Sequence, residues 1–276
     1  MAQTAKTWLD ELTRIYTPTA TEFDAARTHR TAIEVRLDTY LGLHEMFEIG
    51  SLRHGTGVWQ YSDADFLVSL KGIRPGSPWT TLNKVKRTLQ GRFPNTDIVI
   101  RRPAVVCRFS DGPVEVVPAY AASSGYWIAD PATTDGWMKT YPKDHNEYVN
   151  SVNKKHNGAA KVLARQLKVW KYKRNVPVSS CYLEMRAAKH LDGENVYSSL
   201  IDLYLALNYI YNAKLAAMND PTGLGSRFGA CSSDSSREEA MSKLGRAVSR
   251  ARKAVDYADD GNEADAIVQL KLLFNR

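Results

Sequence analysis

The sequence predicts an α+β protein in two parts: a mixed-sheet lobe framed by a long N-terminal helix, then a lobe made of helices alone. Three observations carry that reading. Short runs rich in β-branched and aromatic residues are confined to the stretch from Met46 to Val117. Two of them are separated by Asp111-Gly112, a strong hairpin signal. From Lys154 onward the strand-like runs stop, and only helical patterns follow. We therefore expect a division into residues 1–153 and 154–276.

Each element has its own justification. The chain opens on an amphipathic stretch around Trp8, Leu9 and Leu12, which Thr17-Pro18 ends, because the residue before proline avoids the helical region. A helix over 22–41 follows, with Phe23, Ala26, Ile33, Leu37 and Leu41 as its apolar stripe and a gap in it at Arg30. Strands are expected at Met46–Ile49, Asp65–Leu70, Asp97–Arg101, Ala104–Phe109 and Val114–Val117. A helix from Thr80 to Gln90 lies between the second and third, and Ser77-Pro78 suits its start. The second part reads as helices over 156–174, 179–191, 196–218, 235–258 and 262–274.

Composition bounds the function. The chain of 276 residues is long enough for a sizeable core, and 43% hydrophobic with 24% charged residues is ordinary for a soluble protein. A net charge of +7 favours anionic partners such as nucleotides. The three cysteines, Cys107, Cys181 and Cys231, form no CxxC pair and read as reduced thiols. The first residues carry acids and no apolar run, unlike a secretory signal, and no stretch has the ~18 apolar residues of a membrane span. These features lead to the expectation of a cytoplasmic protein without a membrane partner.

The segment GSLRHGTGVWQYSDADFLVSL, residues 50–70, holds the chemistry. Asp63 and Asp65 flank Ala64 and lead straight into Phe66-Leu67-Val68. In extended chain, residues i and i+2 share a face, so the two carboxylates stand together and repel unless a cation sits between them. The same residues also suit a plain turn. Glu115, a lone acid in Val114–Pro118, either faces solvent or joins the pair across neighbouring strands. Three hard oxygen ligands suit Mg²⁺ or Mn²⁺ and triphosphate chemistry. Gly50-Ser51 then lets backbone approach a phosphate, with the Ser51 hydroxyl donating to it.

Gly50-Ser51, Gly55-Thr56, Asp63-x-Asp65 and the later Val-Glu115-Val-Val-Pro-Ala together resemble the signature of polymerase-β-like nucleotidyltransferases. More narrowly they resemble bacterial relatives of cyclic GMP-AMP synthase and oligoadenylate synthase, the CD-NTases. AAKVLARQLKVWKYKRNVPVSSCYLE and NDPTGLGSRFG are similar to further stretches of that family, so the resemblance spans about residues 20 to 260. It implies an active site in the cleft between the lobes, with Asp63, Asp65 and Glu115 as catalytic residues holding two Mg²⁺, and Mn²⁺ as a substitute. It implies nucleotide binding by Gly50, Ser51, Lys168, Ser179 and Ser180. The implied product is a cyclic di- or trinucleotide made from NTPs by a monomer without any need for nucleic acid. In bacterial antiphage (CBASS) signalling such a messenger activates an effector protein. Glu115 departs from the family's usual Asp, and Cys181 stands where many relatives carry a base-stacking aromatic.

Read without the family, the second lobe is less specific. Lys161, Arg165, Lys168, Lys171, Lys173 and Arg174 share a helix with Leu163, Leu167 and Trp170, the pattern of a solvated basic face over a buried stripe. Ser179 and Ser180 suit an N-cap and an anion equally. Asp220-Pro221 reads as a structural turn. Tyr182 and Trp127 are either core or base-stacking residues, and Arg101 and Arg102 either surface charges or contacts to an acceptor phosphate. Two other functions fit the sequence: nucleotidyl transfer to an RNA end or a protein, and a catalytically inactive basic module that tracks nucleic acid.

Overall fold

The computed structural model describes residues 3–133 and 136–276, with backbone alone at 20–23, 25 and 26. One sheet organises the first part. Its strands are β1 (Leu43–Ile49), β2 (Ala64–Leu70), β3 (Asp97–Arg101), β4 (Ala104–Phe109), β5 (Gly112–Ala121), β6 (Tyr126–Ala129) and β7 (Trp137–Thr140). The order is β1-β2-β5-β4-β3, with β6 on the far half of β5 and β7 beyond it. β2 and β5 are parallel, so β5 returns from the hairpin with β4 to lie beside the strand that follows the paired aspartates.

Two helices cover one face. In α2 (Ala20–Leu41), Ile33 and Leu37 are fully buried against Phe66 and Val68, together with Leu82, Val85 and Leu89 of α4 (Pro78–Gln90). The gap at Arg30 has a purpose: its guanidinium donates to the Met46 carbonyl of β1 at 3.0 Å. Phe23 and Ala26 of the expected stripe lie outside the described side chains. Ser77 caps α4 by accepting from the Trp79 N–H, and Pro78 opens the helix where its missing N–H costs nothing.

The helical layer contains α5 (Pro142–Lys155), α6 (Ala159–Lys173), α7 (Ser180–Asp192), α8 (Ser199–Asn212), α9 (Asp234–Asp259) and α10 (Glu263–Phe274). Its apolar cluster also takes in Trp8, Leu9 and Leu12 of α1 (Ala5–Ile15) and Val149 and Val152 of α5. α5 runs through residues 153 and 154, and α1 packs with the helices from the other end of the chain. β6 and β7 went unread because four-residue strands give too little alternation to register, and α5 because Val149 and Val152 are too few apolar residues to mark a stripe. α8 also stops earlier than expected, where Lys214 and Leu215 adopt positive φ values of 51° and 54°. No helix among the described residues is long and apolar enough to cross a membrane.

Candidate active site between the sheet and the helices

The carboxylates gather where the chain enters β2. Asp63 precedes the strand and Asp65 is its second residue, so both side chains leave on one face. Asp65 lies in register with Glu115 on the parallel β5, which puts the third acid beside them. Arg101, at the end of β3, reaches across this group. One nitrogen of its guanidinium donates to Asp63 Oδ2 at 3.4 Å and also to Glu115 Oε1. Burial, then the Asp63 charge, push the Asp65 carboxyl up to about 7, against the pull of Lys168 and Arg101. Burial raises Asp63 as well, with Arg101 opposing. The site is short of positive charge.

A divalent cation fits that deficit. Every donor is a hard oxygen, and a cationic nitrogen already stands between Asp63 and Glu115. Among the described residues no three acid, histidine or cysteine side chains converge as a ready-made metal cage. Arg101 must therefore give way before all three carboxylates share an ion.

Gly50 begins a short helix, α3 (Gly50–His54), directly above Asp65. Its φ is +61°, and an added Cβ would lie 2.6 Å from Asp65 Oδ2. Only glycine tolerates both the left-handed backbone and that approach. The Ser51 hydroxyl has no hydrogen-bond partner among the described residues.

Lys168 does not face an open cleft. Its side chain is 1% exposed, and Nζ donates to Glu184 Oε2 at 3.3 Å and Thr56 Oγ1 at 3.2 Å. Helical spacing explains the difference from expectation, since residue 168 falls with the buried Ala164 and Leu167 on the inner side of α6. Two other lysines of α6 lie near the sequence-predicted nucleotide residues, although Lys168 is the one whose charge acts on Asp65. Lys161 Nζ lies 3.4 Å from where a Gly55 Cβ would be and makes no hydrogen bond or ion pair among the described residues; burial lowers its pKa and the Glu184 charge opposes the drop. Lys171 Nζ donates to Ser180 Oγ at 2.6 Å, and burial, then the Lys168 charge, bring it down to about 8.

Ser180 also exchanges a 3.1 Å hydrogen bond with the Tyr172 hydroxyl, and Tyr61 stacks flat on Tyr172 with ring centroids 4.8 Å apart. Burial raises the Tyr172 phenol, the Ser180 hydrogen bond opposes the rise, and the Asp63 and Asp65 charges add to it. The Tyr172–Ser180 group thus lies within electrostatic reach of the carboxylates.

Residues 3–153 match the model of the Second Messenger Oligonucleotide or Dinucleotide Synthetase (SMODS) domain, more than half of the chain. The chain belongs to this family. Solved structures share the fold of this SMODS protein over nearly its full length. Vibrio cholerae DncV cyclic AMP-GMP synthase with the linear intermediate 5′ pppA(3′,5′)pG is 13% identical, with 98% of this chain and 94% of that chain covered and a TM-score of 0.76. Escherichia coli MS115-1 CdnC with ATP is 17% identical, covering 95% and 94%, at 0.73. The Bradyrhizobium diazoefficiens CD-NTase CdnG with GTP is 13% identical, covering 100% and 99%, at 0.71. No curated protein matches the sequence.

The remaining residues singled out in the SMODS protein's sequence take structural places. Ser179 caps α7, accepting from the Tyr182 N–H at 3.3 Å. Tyr182 is core, its hydroxyl donating to the Ala216 carbonyl, and Trp127 lies half-buried on β6 under the Arg74 guanidinium. Asp220 is buried and accepts from the N–H groups of Thr222 and Gly225, each at 2.9 Å, as a turn residue does. Arg102 donates to the Thr133 carbonyl. Sequence reasoning placed Lys161 and Lys171 on a solvated basic face and did not single out Glu184. Glu184 had the same signal as Glu115: a lone acid inside an apolar run, here Tyr-Leu-Glu-Met.

Proposed function

We propose that this SMODS protein joins nucleoside triphosphates into a cyclic di- or trinucleotide, with release of pyrophosphate, as a messenger in bacterial antiphage signalling. The observation that carries the reading is the meeting of three carboxylates with Gly50-Ser51 at the head of β2 and β5. Asp63, Asp65 and Glu115 would hold divalent ions, Mg²⁺ or Mn²⁺. Those ions, when bound, supply an acidified attacking hydroxyl and charge neutralisation on the leaving pyrophosphate. The chain's own residues do the rest. The Ser51 hydroxyl and the Lys161 ammonium, which form no hydrogen bond among the described residues, receive the triphosphate from one side, and Lys171 with Ser180 from the other. Stacked Tyr61 and Tyr172 wall the cleft beside them. The ATP and GTP bound by CdnC and CdnG support an NTP substrate. The protein acts as a cytoplasmic monomer, and its diffusible product reaches the effector.

The test is incubation of the pure protein with each NTP and NTP pair, with Mg²⁺ or with EDTA, and no nucleic acid. A phosphatase-resistant product and free pyrophosphate are expected, dependent on the metal and absent in Asp63→Asn. Product only when RNA or a protein acceptor is added would replace this reading with end-transfer. Absence of turnover together with salt-sensitive nucleic-acid binding would replace it with the inactive basic module.

A further inference from the structure

We propose that Glu184 is a positioning residue: from the helical layer it anchors the end of α3 and the loop after it, and so sets the position of Ser51 and the geometry of nucleotidyl transfer. The proposal rests on the reading of the site given above. Glu184 lies on α7, is 3% exposed, and among the described residues hydrogen-bonds to none placed at the triphosphate or the metal, although its charge is felt by Asp65 and Lys161. Both of its oxygens are engaged. His54 Nδ1 pairs with Oε1, while the Thr56 hydroxyl and the Lys168 ammonium donate to Oε2, the latter at 3.3 Å.

Those partners are informative because of where they sit. His54 ends α3, and Thr56 follows it in the loop. The Thr56 N–H in turn donates to the Ser51 carbonyl at 3.0 Å. A displacement of Thr56 therefore passes to Ser51 through one hydrogen bond. Arg165 grips the same loop from α6, donating to the Gly55 and Gly57 carbonyls at 2.8 Å each. The segment 54–57 thus leaves the sheet part and is held by buried polar groups of two helices.

Stability alone does not account for such a network. Replacing a buried ion pair with apolar side chains of similar size is often neutral or stabilising. What the pair supplies here is direction, with donors from two elements fixed on one carboxylate. Burial by itself pushes the Glu184 carboxyl up. The Lys168 ammonium and the His54 and Thr56 hydrogen bonds overcome that and hold it at about 2, so it stays an ionised acceptor.

The experiment pairs Lys168→Met with Glu184→Leu, which removes both charges together at similar volume. The double variant should melt within about 5 °C of the wild type. Its kcat should nevertheless fall by about thirtyfold or more, with KM for NTP changed by less than about threefold, as loss of alignment predicts. Amide exchange across residues 50–57, measured by mass spectrometry, should quicken while the rest of the chain is unchanged. Wild-type kcat and wild-type exchange in a folded double variant would overturn the proposal and leave Glu184 a packing residue. If the double variant does not fold, Thr56→Val breaks the same link singly, with the same loop exchange and kcat deciding. If the wild type makes no nucleotide product, the functional reading fails, and the exchange comparison still decides whether Glu184 holds the loop.

Discussion

Lys168 and Lys161 occupy one helix two turns apart, and truncating them should produce opposite phenotypes. Lys168→Met removes the buried ammonium that faces Glu184 at 3.3 Å and leaves the carboxylate at 3% exposure with only His54 and Thr56. Breaking a buried pair from one side costs about 3–5 kcal/mol. An unfolding entropy of about 2.1 cal/mol/K per residue over 276 residues gives roughly 0.6 kcal/mol/K, so the melting temperature should fall by roughly 5–9 °C. Among the described residues Lys161 makes no side-chain hydrogen bond or ion pair, so Lys161→Ala should melt within about 1–2 °C of the wild type. Its loss is felt in binding: a charge-assisted contact to a phosphate is worth about 1.5–3 kcal/mol, or roughly ten- to a hundredfold in NTP affinity. Differential scanning fluorimetry with and without NTP, beside isothermal titration, separates the two. A Lys168→Met protein with unchanged melting temperature and weakened NTP binding would refute the assignment and return the triphosphate to Lys168.

Three further outcomes follow from the same geometry. Glu184 has a folded pKa of about 2 against an ordinary 4.5, so its contribution is complete above about pH 4.5 and lost as pH falls towards 2; urea midpoints should drop across that window less steeply in Glu184→Gln. Lys171 titrates near 8 rather than 10.5, so its ammonium disappears as pH rises past about 8; kcat/KM for NTP should fall on that alkaline limb, and Lys171→Arg should flatten it. Gly50→Ala combines φ +61° with a Cβ 2.6 Å from Asp65 Oδ2, so it should cost about 1–2 kcal/mol of stability and nearly all turnover, and a melt with near-wild-type activity would show that the loop yields there freely.

The architecture was legible where a pattern repeats. Helical spacing over Ile33 and Leu37, the Asp111-Gly112 turn and the long runs of α9 and α10 each bias many residues at once, so local chemistry settles them. The short β6 and β7 and the early end of α8 lacked that redundancy. They depend on a neighbouring strand and on two residues at positive φ, which no local preference announces.

The amino-acid order by itself determined which residue types form the site. Asp63-x-Asp65 lies on one strand face because the period of a strand is two, and Gly50 precedes Ser51 because that turn admits no side chain. Tertiary structure alone decided how those residues are partnered. The parallel pairing of β2 with β5 brings Glu115, fifty residues on, into register with Asp65, and the end of β3 delivers Arg101 between the acids. A helix crowded with cations names none of them. Its rotation against α7 turns Lys168 inward to Glu184, leaves Lys161 above Gly55, and sets Lys171 on Ser180. That rotation is fixed by burial of Leu163, Leu167 and Trp170, because the large apolar side chains dominate the packing free energy and the lysines take the positions that remain.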